Sequence, residues 1–177
     1  VSGDDGMVFD ACSIVIEQIR EDARYGGLRV RLVGRLGTAR STVQVDVGYG
    51  DAVTPGPEEA VYPTLLNEFP APRLRAYPRA TVVAEKLEAI VSLGMANSRL
   101  KDYYDLRALG LEGSLDVALL ADAIAATFAR RGTPIPSDLP LGLTDEFAFD
   151  RAKIAQWKAF LSKNRLSASD LGSVVSE

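Results

Sequence analysis

The sequence contains no histidine and a single cysteine, Cys12. Without histidine, Ser-His-Asp and Cys-His catalysis within the chain is excluded, as is any imidazole metal site. One thiol excludes an internal disulfide and a thiolate zinc site. A metal held here would rest on carboxylates, which favours Mg2+, Mn2+ or Ca2+. Basic residues are not in excess: 20 Lys and Arg face 24 Asp and Glu, a net charge of −4. The global signature of a nucleic-acid binder is therefore lacking, although a local basic patch stays open. No apolar run approaches the ~20 residues that span a bilayer. No charged segment followed by an apolar one suggests a signal peptide. A cytoplasmic protein without membrane contact is expected. Neither phosphate-loop pattern, GxxxxGK[ST] or GxGxxG, occurs.

What is present is enough for a sizeable core: 177 residues, 47% of them hydrophobic, in one domain or two small ones. The first part reads as strand. "CSIVIEQI" is rich in β-branched residues. "LRVRLVGRL" alternates, with Leu28, Val30, Leu32 and Leu36 on one side and Arg29, Arg31 and Arg35 on the other. "STVQVDVGY" alternates likewise, with Val43, Val45, Val47 and Tyr49 opposite Gln44 and Asp46. Period 2 predicts half-buried strands, and "GTARS" between them a hairpin turn. "GDAVTPGPEEAVYP" reads as loop and "PAPRLRAYP" as at most a short strand.

The second part reads as helix. "RATVVAEKLEAIVSLG" places Val83, Leu87, Ile90 and Gly94 in helical register, with Gly94 or Asn97 to end it. "KDYYDLRALGLE" predicts a short helix. "SLDVALLADAIAATFARRG" predicts a longer one, with Ser114 as N-cap and Gly132 as C-cap. After a connector from Pro134 to Pro140 comes "DRAKIAQWKAFLSKN", a last helix, then a polar tail expected to fray. A β-rich part, residues 1–76, precedes a helical region, residues 77–177. Segregated runs of this kind argue for an α+β fold.

Several charged residues break these patterns. Glu85 and Glu88 lie away from the apolar stripe and read as solvated. Lys86 lies on its flank, about 60° from Val83. It is either a snorkelling lysine or a cation aimed at an anionic ligand or a carboxylate. Asp102 shares a face with Leu106 and Leu109, and Asp105 lies beside it. Asp102 reads as a helix-start residue favoured by the dipole, or as one carboxylate of an ion pair with Lys86, with Asp105 the alternative partner. Asp46, on a strand's polar face, pairs with an arginine or holds something. Asp51 after "GYG" is most simply a turn residue.

In this order the residues resemble a family. "REDARYGGLRVRLVGRLGTARSTVQVDVGYGDAVTP", "AEKLEAIVSLG" and "SRLKDYYDLRAL", between about Glu17 and Leu109, are similar to the AbiEii/AbiGii toxin family of nucleotidyltransferases, of type IV toxin–antitoxin and abortive-infection systems. That family is similar in turn to the polymerase-β-like nucleotidyltransferases. The resemblance implies a partial nucleotidyltransferase-like mixed β-sheet followed by a helical C-terminal region. It implies transfer of a nucleoside monophosphate from an NTP to an RNA acceptor, with tRNA the acceptor class, and a cognate antitoxin protein as partner. It places Asp46 as a third metal carboxylate and Lys86, Asp102 and Asp105 as catalytic residues. Arg29, Arg31, Arg35 and Asp51 are candidates for nucleotide or acceptor contacts; for the arginines this follows from the face they share with Asp46. The family's glycine motif and carboxylate pair have no counterpart here: Asp4 and Asp5 are adjacent and would point to opposite sides of a strand. The chain is therefore expected to be the C-terminal part of such an enzyme, inactive alone. Mg2+ is expected in the intact enzyme and no stable Mg2+ site in this chain. The alternative is a non-catalytic, degenerate relative that binds protein or RNA.

Overall fold

The computed structural model describes residues 5–19, 26–113 and 115–176. The chain divides into two compact units, Val1–Asp51 and Ala52–Glu177.

The first unit is a three-stranded sheet in the order β1 (Met7–Ile19), β2 (Gly27–Leu36), β3 (Ala39–Gly48). Every described pairing is antiparallel, where the resemblance led us to expect a mixed sheet. A two-residue turn, as between β2 and β3, can join strands only this way. The β2–β3 turn is Gly37–Thr38, with Gly37 at φ 57, a conformation that favours glycine. Opposite partners on antiparallel strands project to the same side. Ile16, Val30 and Val45 therefore form one apolar row, while Arg29 faces Asp46 and Arg31 faces Gln44 on the other side. The alternation predicted these two faces. The apolar one is less buried than the pattern suggests: Phe9, Ile16, Leu36, Val45 and Val47 are all exposed.

β1 bulges between Asp10 and Val15. The bulge would leave a β2 amide without its ladder partner, and Ser13 supplies one: its Oγ accepts from Val33 N at 2.8 Å and donates to Asp10 O at 2.6 Å. Asp5 sits two residues before β1 and accepts from Met7 N, so a strand does follow it closely. Asp4 lies outside the described residues.

The second unit begins with a hairpin of β4 (Glu58–Val61) and β5 (Arg73–Ala76), which pair with each other. β4 falls within the segment read as loop. Its four residues are bracketed by prolines, which masked so short a strand. Thr81 ties the preceding segment to the first helix, accepting from Thr54 N and donating to Thr54 O. The compact units therefore part at Asp51, while strand gives way to helix near residue 76.

The helices are α1 (Arg79–Leu93), α2 (Leu100–Leu111), α3 (Val117–Arg131), α4 (Asp145–Ala148), α5 (Arg151–Asn164) and α6 (Leu171–Ser176). The class is α+β, as expected. The N-cap of α3 is Asp116, whose carboxylate accepts from the Ala118 and Leu119 amides; Ser114, the expected cap, lies outside the described residues. Gly132 ends α3 in the left-handed region, φ 64. The tail expected to fray forms α6, because Leu171 and Val174 are buried in the main core. That core joins Ile90, Leu100, Tyr103, Phe147 and Trp157.

α1 is buried on two sides. Ala80 and Ala84 meet Ala123 of α3, small residues that allow close approach. On the other side, a Cβ on Gly142 would lie 2.7 Å from Ile90 Cγ2, so only glycine fits there. This two-sided packing overturns one expectation. Glu88 is 5% exposed, not solvated; Arg131 Nη1 donates to it at 2.7 Å and Thr133 Oγ1 at 2.5 Å. Glu85 is part-buried near the same arginine.

Candidate functional site

Lys86 lies midway along α1, and the start of α2 is set against it. α2 is positioned by Asn97, fully buried, whose Oδ1 accepts from Arg99 N at 2.8 Å. That side chain satisfies one of the helix's otherwise orphan amides. Asn97 O in turn accepts from the buried Lys153 of α5 at 2.8 Å. Tyr103 of α2 donates to Gly142 O at 2.9 Å and stacks on Phe147. Burial pushes the Tyr103 hydroxyl pKa up, and Asp102 nearby adds to the shift.

These anchors bring Asp102 and Asp105 to Lys86. The ammonium donates to Asp102 Oδ1 at 2.8 Å and to Asp105 Oδ2 at 2.6 Å. Side-chain exposure is 15% for Lys86, 4% for Asp102 and 22% for Asp105, so the trio is largely withdrawn from water. Burial is the largest influence on Lys86 and by itself lowers its pKa. The hydrogen bonds with Asp102 and Asp105 outweigh it and leave the pKa raised. Burial would likewise raise the Asp105 pKa, but Lys101 and Lys86 hold it below the ordinary value.

Asp102 sits in the first turn of α2, where the dipole favours a carboxylate. It does not cap the helix; it faces Lys86. Its second oxygen, Oδ2, is buried without a hydrogen bond. Arg99 Nε lies 3.0 Å away but outside hydrogen-bond geometry, so that contact is ionic only. Arg99 and Lys101, which ion-pairs with Asp105, complete the cluster. The sequence offered a signal for both that was passed over: they stand at i,i+3 and i,i+4 spacing from the aspartates. Three cations thus surround two carboxylates.

The remaining candidates lie in the first unit. Arg29 and Asp46 form a two-pronged pair, Nε to Oδ1 and Nη2 to Oδ2, both 2.8 Å. Gln44 Nε2 also donates to Oδ1 at 3.3 Å. The hydrogen bond with Asp46 is the main cause of the raised Arg29 pKa. Arg31 pairs with Glu17. Arg35 is exposed. Asp51 follows Gly50, φ 98, in the turn that leaves β3.

A Mg2+ ion does not fit Asp46 as it stands. Both oxygens are engaged by one guanidinium, and among the described residues no group of three or more His, Cys, Asp or Glu side chains could hold a metal ion.

A comparison with family models places the chain as a whole. Residues 1–174 match the family described as nucleotidyl transferase AbiEii toxin, type IV TA system. The chain belongs to the AbiEii family. The match reaches well past the Glu17 to Leu109 stretch that carried the resemblance and takes in the later helices. Membership makes this AbiEii chain a nucleotidyltransferase-family toxin of a type IV toxin–antitoxin system, which implies a nucleotide substrate and an antitoxin counterpart. No curated protein and no solved structure matches it. Among the described residues, no helix is long and apolar enough to cross a membrane.

Proposed function

We propose that this AbiEii chain serves a toxin that transfers a nucleoside monophosphate from an NTP to an RNA acceptor in the cytoplasm, with tRNA the acceptor class. The acceptor hydroxyl attacks the α-phosphorus, the bond to the β-phosphate breaks, pyrophosphate leaves, and the hydroxyl proton is released. Lys86 is the residue that meets the triphosphate. The observation that carries this reading is its setting: an ammonium held charged between two carboxylates, in a cluster with a surplus positive charge. A lysine contributes there as a point charge on phosphate oxygens.

Asp102 and Asp105 are positioning residues in this reading. Asp102 is too buried to meet an acceptor, and a carboxylate with a lowered pKa, as at Asp105, is a poor proton acceptor. Any Mg2+ of the reaction would need carboxylates other than Asp46 alone. The tie of Asp46 to Arg29 favours a second reading, a non-catalytic module that binds RNA or a protein partner.

Titrating the full chain with each of the four NTPs distinguishes the two. Binding of at least one NTP, weakened tenfold or more by Lys86→Arg, supports the transferase reading. NTP binding indifferent to that substitution, or no NTP binding, contradicts it.

A further inference from the structure

The arginines of the sheet are not equivalent. Arg29 is neutralised by Asp46, and Arg31 by Glu17. Arg35 stands directly opposite Arg40 in the β2–β3 register, and both are exposed. Among the described residues neither forms an ion pair with a carboxylate. The β1 residue opposite Arg35 is Val8, and Asp10, diagonal to Arg35 on the same side, turns its carboxylate to the Cys12 amide instead. Thr42, two residues beyond Arg40, continues the same side.

Two like charges directly opposite on neighbouring strands are unfavourable. Every other charged position of β2 resolves this with an acidic partner. At the hairpin end the repulsion is left standing. Side-by-side guanidinium groups present parallel N–H donors that match phosphate oxygens.

We infer that Arg35 and Arg40 form a clamp for the phosphodiester backbone of the acceptor RNA. The clamp positions the strand without reading its bases, as backbone contacts do. The RNA identity of the ligand rests on the function proposed above; the clamp itself rests on the cross-strand pair. Arg40 carries no role in the sequence pattern, because it lies in the predicted turn rather than on the strand.

The test is RNA binding by the full chain, which needs no catalytic turnover. A fluorescein-labelled tRNA transcript is followed by anisotropy over a range of KCl concentrations. Arg35→Ala with Arg40→Ala is expected to weaken binding at least tenfold at low salt. It should also lower the slope of log affinity against log salt by about 1.4–1.8, the loss of two phosphate contacts. Arg35→Glu guards against misfolding: it places a carboxylate opposite Arg40, so the melting temperature should hold or rise while RNA binding is lost. Anionic phosphatidylserine vesicles separate a membrane ligand from RNA. Wild-type RNA affinity and slope in both variants would overturn the proposal. So would absence of RNA binding by the unmodified chain, or loss of vesicle binding with RNA binding intact. NTP binding by the chain without RNA binding would reject the clamp while leaving the Lys86 reading in place.

Discussion

Glu88 of α1 lies under Arg131 of α3, its Oε2 2.7 Å from the guanidinium and its residue only 5% exposed. This pair and the Ala84 to Ala123 contact fix α1 two residues from Lys86, so the lysine is presented from a helix that is held on both sides.

Replacing Glu88 with Gln keeps the shape and removes the charge. Arg131 then loses its closest buried partner, and the chain should lose about 2–4 kcal/mol of stability. Urea unfolding measures this. A loss below about 0.5 kcal/mol would show that the pair is solvated in practice.

The Lys86 cluster sets a pH profile for stability. The lowered pKa of Asp105 gives stability that is present above the ordinary carboxylate pKa of about 3.9 and lost as pH falls through the lowered value. The raised pKa of Lys86 gives stability that is present below about 10.4 and lost as pH rises through the raised value. The directions are those of the cluster's hydrogen bonds. Thermal melts should therefore show a plateau between these limits, with Asp105→Asn flattening the acid side. An unchanged acid limb in that variant would contradict the assignment.

Lys153 is 6% exposed, donates to Asn97 O, and lies 5.3 Å from the Phe147 ring centroid. Lys153→Met keeps the apolar stem but leaves the Asn97 carbonyl without this donor. The expected cost is about 1–3 kcal/mol. Because Asn97 also anchors the start of α2, the amide NMR shifts of Arg99 and Asp102 should move with it. Shifts confined to α5 would show that the contact does not set α2.

Much of this was legible in the sequence. Alternation revealed β2 and β3 and the shared side of Arg29 and Asp46, because a strand with one wet face writes its period into the sequence. The Lys86 to Asp102 and Asp105 pairing was legible because three charges beside apolar stripes each needed a partner. Glu88 was misread because α1 is buried on two faces, and a single apolar stripe describes only one of them. α6 was missed because its register is set by Leu171 and Val174 meeting a distant core, not by local pattern. Arg40 was passed over because a turn boundary displaced by two residues hid its cross-strand partner. Alternation left Asp46 either pairing with an arginine or holding something, and the β2–β3 register sets Arg29 directly opposite it.

In the proposed function Lys86 serves a nucleotide and not merely the α1–α2 junction. Substituting Lys86→Met together with Asp102→Asn and Asp105→Asn removes all three charges at once, which avoids stranding a buried carboxylate. Isothermal titration of this variant with the NTP that binds the unmodified chain is the most direct measurement. A cooperative fold and a loss of nucleotide binding of at least tenfold are expected. A folded variant that binds the NTP as tightly as the unmodified chain would contradict this role of Lys86.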